Sequence, residues 1–252
     1  MGTEFALWQG IVLFLTGIAA GFVNVTAAGG SMLSVPVMVF LGIPGPVANG
    51  TNRIAILAQN ITAVVTFFRR GYSDFRLSVL LALAAMPGAV IGALAGVQLE
   101  GVWFNRVLAV LLITIMIIMA RDRKTDIGAD PNRPQRRWLA YLLMFVAGLF
   151  GGFIQIGVGF IIMPALQYSL GLDLVRVNMH KTFVIGAYTT VALIVFSSQI
   201  QLLWLLGLCL AAGNSLGAWI SARVQIREGE SYIKVVLNTV LCIFIIKLLF
   251  FS

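Results

Sequence analysis

The chain has 252 residues, of which 60% are hydrophobic and only 10% charged, and its net charge is +8. A water-soluble domain is about a quarter charged, so this composition excludes an ordinary soluble protein and makes lipid the solvent. With its charge concentrated in short connecting stretches, the positive balance reads as membrane topology rather than as a nucleic-acid surface.

Taken in chain order, apolar runs between charged residues and Pro/Gly breaks predict ten helical segments. Those of the first half cover 5–24, 31–41, 53–68, 77–97 and 103–120. Those of the second cover 138–156, 158–170, 178–197, 201–222 and 231–250. Several reach the ~20 residues needed to cross a bilayer as helices. The alternating ten-residue pattern of a membrane barrel is absent. The first segment lacks a basic leader and carries Glu4, so it is expected to stay in the mature fold rather than act as a signal peptide. Segments 31–41 and 158–170 are too short to span comfortably, which predicts re-entrant pieces or half-helices.

The basic residues orient these segments. The linker 121–137 carries Arg121, Arg123, Lys124, Arg133, Arg136 and Arg137 and is expected in the cytoplasm. Alternating outward from it puts Arg69, Arg70, Arg76, Arg176, Lys181, Arg223, Arg227 and Lys234 on the same side. Only Arg53, Arg106 and Lys247 fall opposite, so the 17 basic residues divide 14 to 3. This partition gives each half an odd number of crossings and places both chain ends outside.

The halves also resemble each other. Gly29, Pro36, Gly42 and Asn49 correspond to Gly157, Pro164, Gly171 and Asn178. Gly88-x-x-x-Gly92-Ala93 matches Gly213-x-x-x-Gly217-Ala218, and Phe104-x-Arg106-Val107 matches Tyr232-x-Lys234-Val235. A repeat with an odd number of crossings inserts upside down relative to its copy. The expected fold is therefore all-α and polytopic: two inverted-topology repeats, each with a broken or re-entrant helical hairpin plus three transmembrane helices. The first repeat is 1–120, the cytoplasmic linker 121–137 and the second repeat 138–252, all within one integrated domain. Transporters of this architecture bind substrate near the midplane, where interrupted helices meet.

The interruptions carry the candidate site. The first reads Asn24-Val-Thr-Ala-Ala-Gly-Gly-Ser31, the second Gly151-Gly-Phe-Ile-Gln155-Ile-Gly157-Val-Gly159. Glycines 29, 30, 157 and 159 let backbone N–H groups approach a ligand, and the helix start after each break favours an anion. Asn24, Thr26, Ser31 and Gln155 add side-chain donors. A second pair of clusters follows: Asn49, Thr51, Asn52 and Arg53 in the first half, and Asn178, His180, Lys181 and Thr182 in the second. Arg53 and Lys181 are candidates to neutralise an anion, or else to snorkel toward headgroups. His180, the one histidine, is a candidate proton carrier. Gln59 and Asn60 lie deeper, where an unpaired polar group is costly, and are candidates to line the pathway. The Gly88/Gly92 and Gly213/Gly217 motifs read as helix packing.

The nine carboxylates all fall in predicted loops or helix ends, which argues against a cation site or a carboxylate proton relay. Cys209 and Cys242 lie in apolar runs without a CxxC or Cys/His cluster, so neither a metal nor a disulfide is expected. No phosphate-binding glycine motif is present, no catalytic constellation stands in one place, and no cofactor is expected.

At these residues the chain resembles the TauE/SafE sulfite exporter family (4-toluene sulfonate uptake permease-like transporters). The resemblance lies in Gly21 to Gly71, with Gly29, Gly30, Pro36, Gly42 and Ala48-Asn49-Gly50-Thr51, and in GGFIQIGVGFIIMPALQYSLGLDLVRVNMHKTF of the second half. It departs at Asn24-Val-Thr-Ala-Ala, where the family has more glycine. The resemblance implies movement of sulfite or a related organosulfur anion across the bacterial inner membrane. The expectation is a secondary transporter, not an enzyme, that exports sulfite by alternating access. An organosulfonate or sulfoacetate importer and a passive anion channel stand as alternatives. Expected partners are the small anionic substrate and the lipid bilayer, with no nucleic acid and with a homodimer left open.

Overall fold

A computed structural model describes residues 7–27, 29–99, 103, 106, 107, 110, 135–229, 231–233, 235, 236 and 239. Predicted segments 103–120 and 231–250 and the linker 121–137 fall mostly outside these residues, as do Cys242, Lys247 and the match at Lys234. The main helices are α1 (Leu7–Ala27), α2 (Ser31–Phe40), α3 (Gly45–Arg69), α4 (Phe75–Val97), α5 (Arg137–Phe153), α6 (Gly159–Leu170), α7 (Leu174–Gln199) and α8 (Trp204–Glu228). Among the described residues there is no strand.

The polarity of the packing is that of a membrane protein. Large apolar side chains face outward, with Phe40, Trp138, Leu205 and Ile194 exposed. Asn49, Asn52, Arg53, Asn178, Lys181 and Asn214 are 0% exposed. Buried polar groups are tolerated in lipid only where the bundle itself provides partners. Helices α1, α4, α7 and α8 are long and apolar enough to cross a bilayer. Helix α3 has comparable length, about 37 Å at 1.5 Å per residue, but turns its polar residues inward and Ile61, Val65 and Phe68 outward.

The short segments are helices set off by breaks. Helix α2 stops before Gly42 and α6 at Gly171, both with positive φ (85° and 67°), which explains why these glycines recur in the two halves. Helices α3 and α7 begin earlier than the hydropathy pattern predicts, at Gly45 and Leu174 rather than near 53 and 178. Pro44 and Pro46 set the first turn of α3, and the Asp173 carboxylate caps α7 by accepting from Arg176 N at 2.9 Å. The polar clusters thus lie inside helices, one or two turns from their starts.

The two halves interlock. The first helix of each packs on the fourth helix of the other, α1 on α8 and α5 on α4, while α3 and α7 meet between them. Small residues allow the close approach. A Cβ added at Gly92 would stand 2.0 Å from the Leu149 carbonyl oxygen, and one at Gly217 would stand 2.1 Å from that of Ile18. The Gly-x-x-x-Gly motifs are therefore helix-packing surfaces.

Candidate functional site

Both breaks open onto one small polar pocket. It is lined by Asn24, Ser31, Ile56, Gln59 and Asn60 from the first half and by Gln155, Val158, Gly159 and Ile185 from the second. The space left inside holds about one water molecule. Ser31 is the first residue of α2, and Val158 and Gly159 form the start of α6, so both short helices present their N-terminal ends here.

An amide network frames the pocket. Asn24 Nδ2 donates to Gln59 Oε1 at 3.3 Å and to Ser31 Oγ at 3.5 Å, and its Oδ1 accepts from Ser31 N at 3.3 Å. Gln59 Oε1 takes a second bond from Asn214 Nδ2 at 3.0 Å. Opposite, Gln155 Oε1 accepts from Arg53 Nη1 at 3.1 Å, and Gln155 Nε2 donates to the Tyr188 hydroxyl at 3.0 Å. Gly30 is required by packing, because a Cβ there would overlap the Ala20 carbonyl. Gly157 is required by its positive φ of 74°. Gly29 accepts from Met32 N in the first turn of α2.

The two cations occupy equivalent places in exchange. Arg53 of α3 donates to the carbonyls of Gly151 (3.0 Å) and Gly152 at the end of α5. Lys181 of α7 donates to the carbonyls of Asn24 and Val25 at the end of α1, both at 3.1 Å. The step from 24 to 151, or from 25 to 152, is 127 residues, and that from 53 to 181 is 128. Asn49 and Asn178 complete the exchange by donating to the next carbonyls, Phe153 O at 3.1 Å and Thr26 O at 3.2 Å. Each Asn lies three or four residues before its cation and therefore on the same helix face. Carbonyls at a helix C-terminus lack intrahelical partners, and here the opposite half supplies them. Neither cation snorkels to the surface. Among the described residues the ion pairs are Arg176–Asp173 and Arg227–Glu228, which leaves Arg53 and Lys181 compensated by dipoles.

Other expected site residues sit away from the pocket. Thr51 Oγ1 accepts from Leu203 N at the start of α8, and Thr182 bonds within its own helix to Met179 O. Asn52 Oδ1 accepts from Ser34 Oγ at 2.7 Å. The Thr26 hydroxyl pairs with Phe22 O and Ser221 Oγ. His180 Nδ1 lies 2.8 Å from Ser78 Oγ, beside a separate cleft lined by Tyr72, Asp74 and Phe183.

A family model described as sulfite exporter TauE/SafE matches residues 13–248. The chain belongs to this family. It is an integral membrane protein of a membrane-transporter family. A probable membrane transporter protein of Sinorhizobium is 28% identical over 94% of this chain and 91% of its own length. One from Haemophilus influenzae is 26% identical over 88% of each chain, and YfcA of Escherichia coli is 24% identical over 96% of this chain and 90% of its own. No solved structure matches. Within this TauE/SafE member, sequence reasoning missed Tyr188, Asn214, Ser221 and Gln225. Tyr188, Asn214 and Ser221 are polar positions within the predicted apolar segments, and Gln225, three residues beyond the segment 201–222, accepts through Oε1 from Asn178 Nδ2 at 2.6 Å. For the first three, their place in those segments was the available signal; Gln225, between Arg223 and Arg227, carried none.

Proposed function

We propose that this protein is a secondary transporter of small sulfur-containing oxyanions, with sulfite export across the inner membrane as its principal activity. The observation that carries this reading is the pocket between the two breaks, where five polar side chains converge beside Ile56, Val158 and Ile185 and two buried cations stand behind them. A helix terminus carries about half a unit charge. Arg53 and Lys181 bring two positive charges, and the ends of α1 and α5 offset about one. The N-termini of α2 and α6 add roughly half a unit each. A surplus of about two positive charges suits an anion of one or two negative charges.

In this reading Asn24, Ser31, Gln155 and the backbone at Gly29, Gly30, Gly157 and Gly159 hold the oxygens, with Gln59 and Asn60 beside them. Arg53 and Lys181, with Asn49 and Asn178, supply charge and fix the helix ends. His180, paired with Ser78 beside the second cleft, is the proton carrier of this reading. The cycle is transport without covalent chemistry. Access alternates as the repeats 1–120 and 138–252 rock about the cytoplasmic linker 121–137. The pocket's small free space supports alternating access over an open pore.

The test uses the full chain in proteoliposomes. Sulfite flux should saturate and be stimulated by sulfite on the opposite side. Current that never saturates would favour a channel. Saturable flux of sulfoacetate or another organosulfonate without sulfite would favour the importer reading. No flux of any sulfur oxyanion would remove the proposal.

A further inference from the structure

The Lys181 ammonium is fully buried and has three acceptors. They are the carbonyl oxygens of Asn24 and Val25, each at 3.1 Å, and Met163 Sδ at 3.8 Å. An ammonium has three hydrogens to donate, so none remains for a ligand in this conformation. The acceptors are neutral, and two of them are final-turn carbonyls of a helix that ends inside the bundle. In transporters with interrupted helices, such carbonyl ends coordinate a dissolved coupling cation.

We propose that the C-terminal end of α1 is a monovalent-cation site that the protein fills with its own Lys181. Arg53 fills the matching end of α5 through the carbonyls of Gly151 and Gly152. Each break is thus held by a cation tethered to the other half of the molecule. The consequence for transport, which rests on the transport reading above, is that the cycle requires neither Na+ nor K+ in solution. The cation site itself does not rest on that reading.

Removing the side chain while leaving the carbonyls tests this. Lys181→Ala in the purified full chain should bind a small ammonium ion in the vacated space. Its melting temperature should rise saturably with ammonium or methylammonium, by about 5 °C near saturation. Tetramethylammonium and choline should give no such rise, and the wild-type protein should show none with any of them. In proteoliposomes the same small cations should restore flux to Lys181→Ala, and wild-type flux should be equal in Na+, K+ or choline media. If Lys181→Ala yields no folded protein, it and Lys181→Met are extracted from membranes with these cations present. Recovery of monodisperse protein by the small ammonium ions alone supports the site.

Absence of a saturable shift or recovery with every small monovalent cation overturns the site, whatever the flux. Wild-type flux that needs Na+ or K+ overturns the coupling consequence. A wild-type protein that carries no sulfite overturns the transport reading and leaves the thermal result standing.

Discussion

Gln59 tests the sign of the transported charge. Its Oε1 accepts from both Asn24 and Asn214, and it lines the pocket without bonding either buried cation. Gln59→Glu keeps an acceptor oxygen in the same place and nearly the same shape but adds a negative charge. At a separation of about 4 Å and an effective dielectric of about 20, like charges repel by about 4 kcal/mol. Sulfite flux should therefore fall at least about a hundredfold while the protein remains monodisperse, measured by initial rates in proteoliposomes. Unchanged or faster flux would mean that the anion does not pass this pocket. The pocket was partly legible at this scale. Asn24, Ser31, Gln155 and Gly159 stand out beside glycine breaks, and the structure brings them together. Thr51 and Thr182 stand in the same polar clusters, yet their hydroxyls engage Leu203 N and Met179 O. A linear pattern does not reveal which way a hydroxyl turns within a helix.

Helix pairing is set by small residues, and that makes it breakable. The backbones of α4 and α5 touch along Gly88, Gly92 and Gly148, where an added Cβ would lie 2.0–2.2 Å from a carbonyl oxygen of the partner helix. Neither backbone can yield without moving its helix. Gly92→Leu should cost about 1–3 kcal/mol or more, lower the melting temperature by several degrees and reduce folded yield. Ala95→Leu, at an exposed position of the same helix outside this glycine row, serves as the control. Equal stability of the two variants would show that the contact is dispensable. The elements were largely legible because apolar runs and their Pro/Gly breaks mark both lipid exposure and chain reversal. Hydropathy places the start of α3 too late because it discounts Gly45–Asn52, and that of α7 because Asp173 and Arg176 interrupt the apolar run before Asn178. Asn49–Arg53 and Asn178–Lys181 lie inside the helices because the bundle interior meets most of their polar groups, the exceptions being Asn49 Oδ1, Asn52 Nδ2, Arg53 Nε and Asn178 Oδ1. The tertiary exchange with α5 and α1, together with partners on α2, α4 and α8, makes polar residues tolerable there.

For the whole molecule, the question is how the halves face the membrane. The charge partition treats Arg53 and Lys181 as surface charges on opposite sides, but both are buried in the folded bundle. Removing one from each side leaves the bias intact, carried by Arg69, Arg70, Arg76, Arg176, Arg223 and Arg227. The crossed pairing of α1 with α8 and of α5 with α4 is the contact pattern expected of two copies related by a twofold axis. If that axis lies in the membrane plane, equivalent loops must open on opposite faces. The loops after α2 and α6 are equivalent through Gly42 and Gly171. In a background with Cys209 and Cys242 changed to Ser, Leu41→Cys and Gln201→Cys should react with an impermeant maleimide added outside intact cells. Gly71→Cys and Leu172→Cys should react only after the membrane is opened. Labelling of Leu41→Cys and Leu172→Cys from the same side would rule out the inverted arrangement. An anion pocket would remain, but rocking of one repeat against an upside-down copy could no longer open it alternately to the two sides.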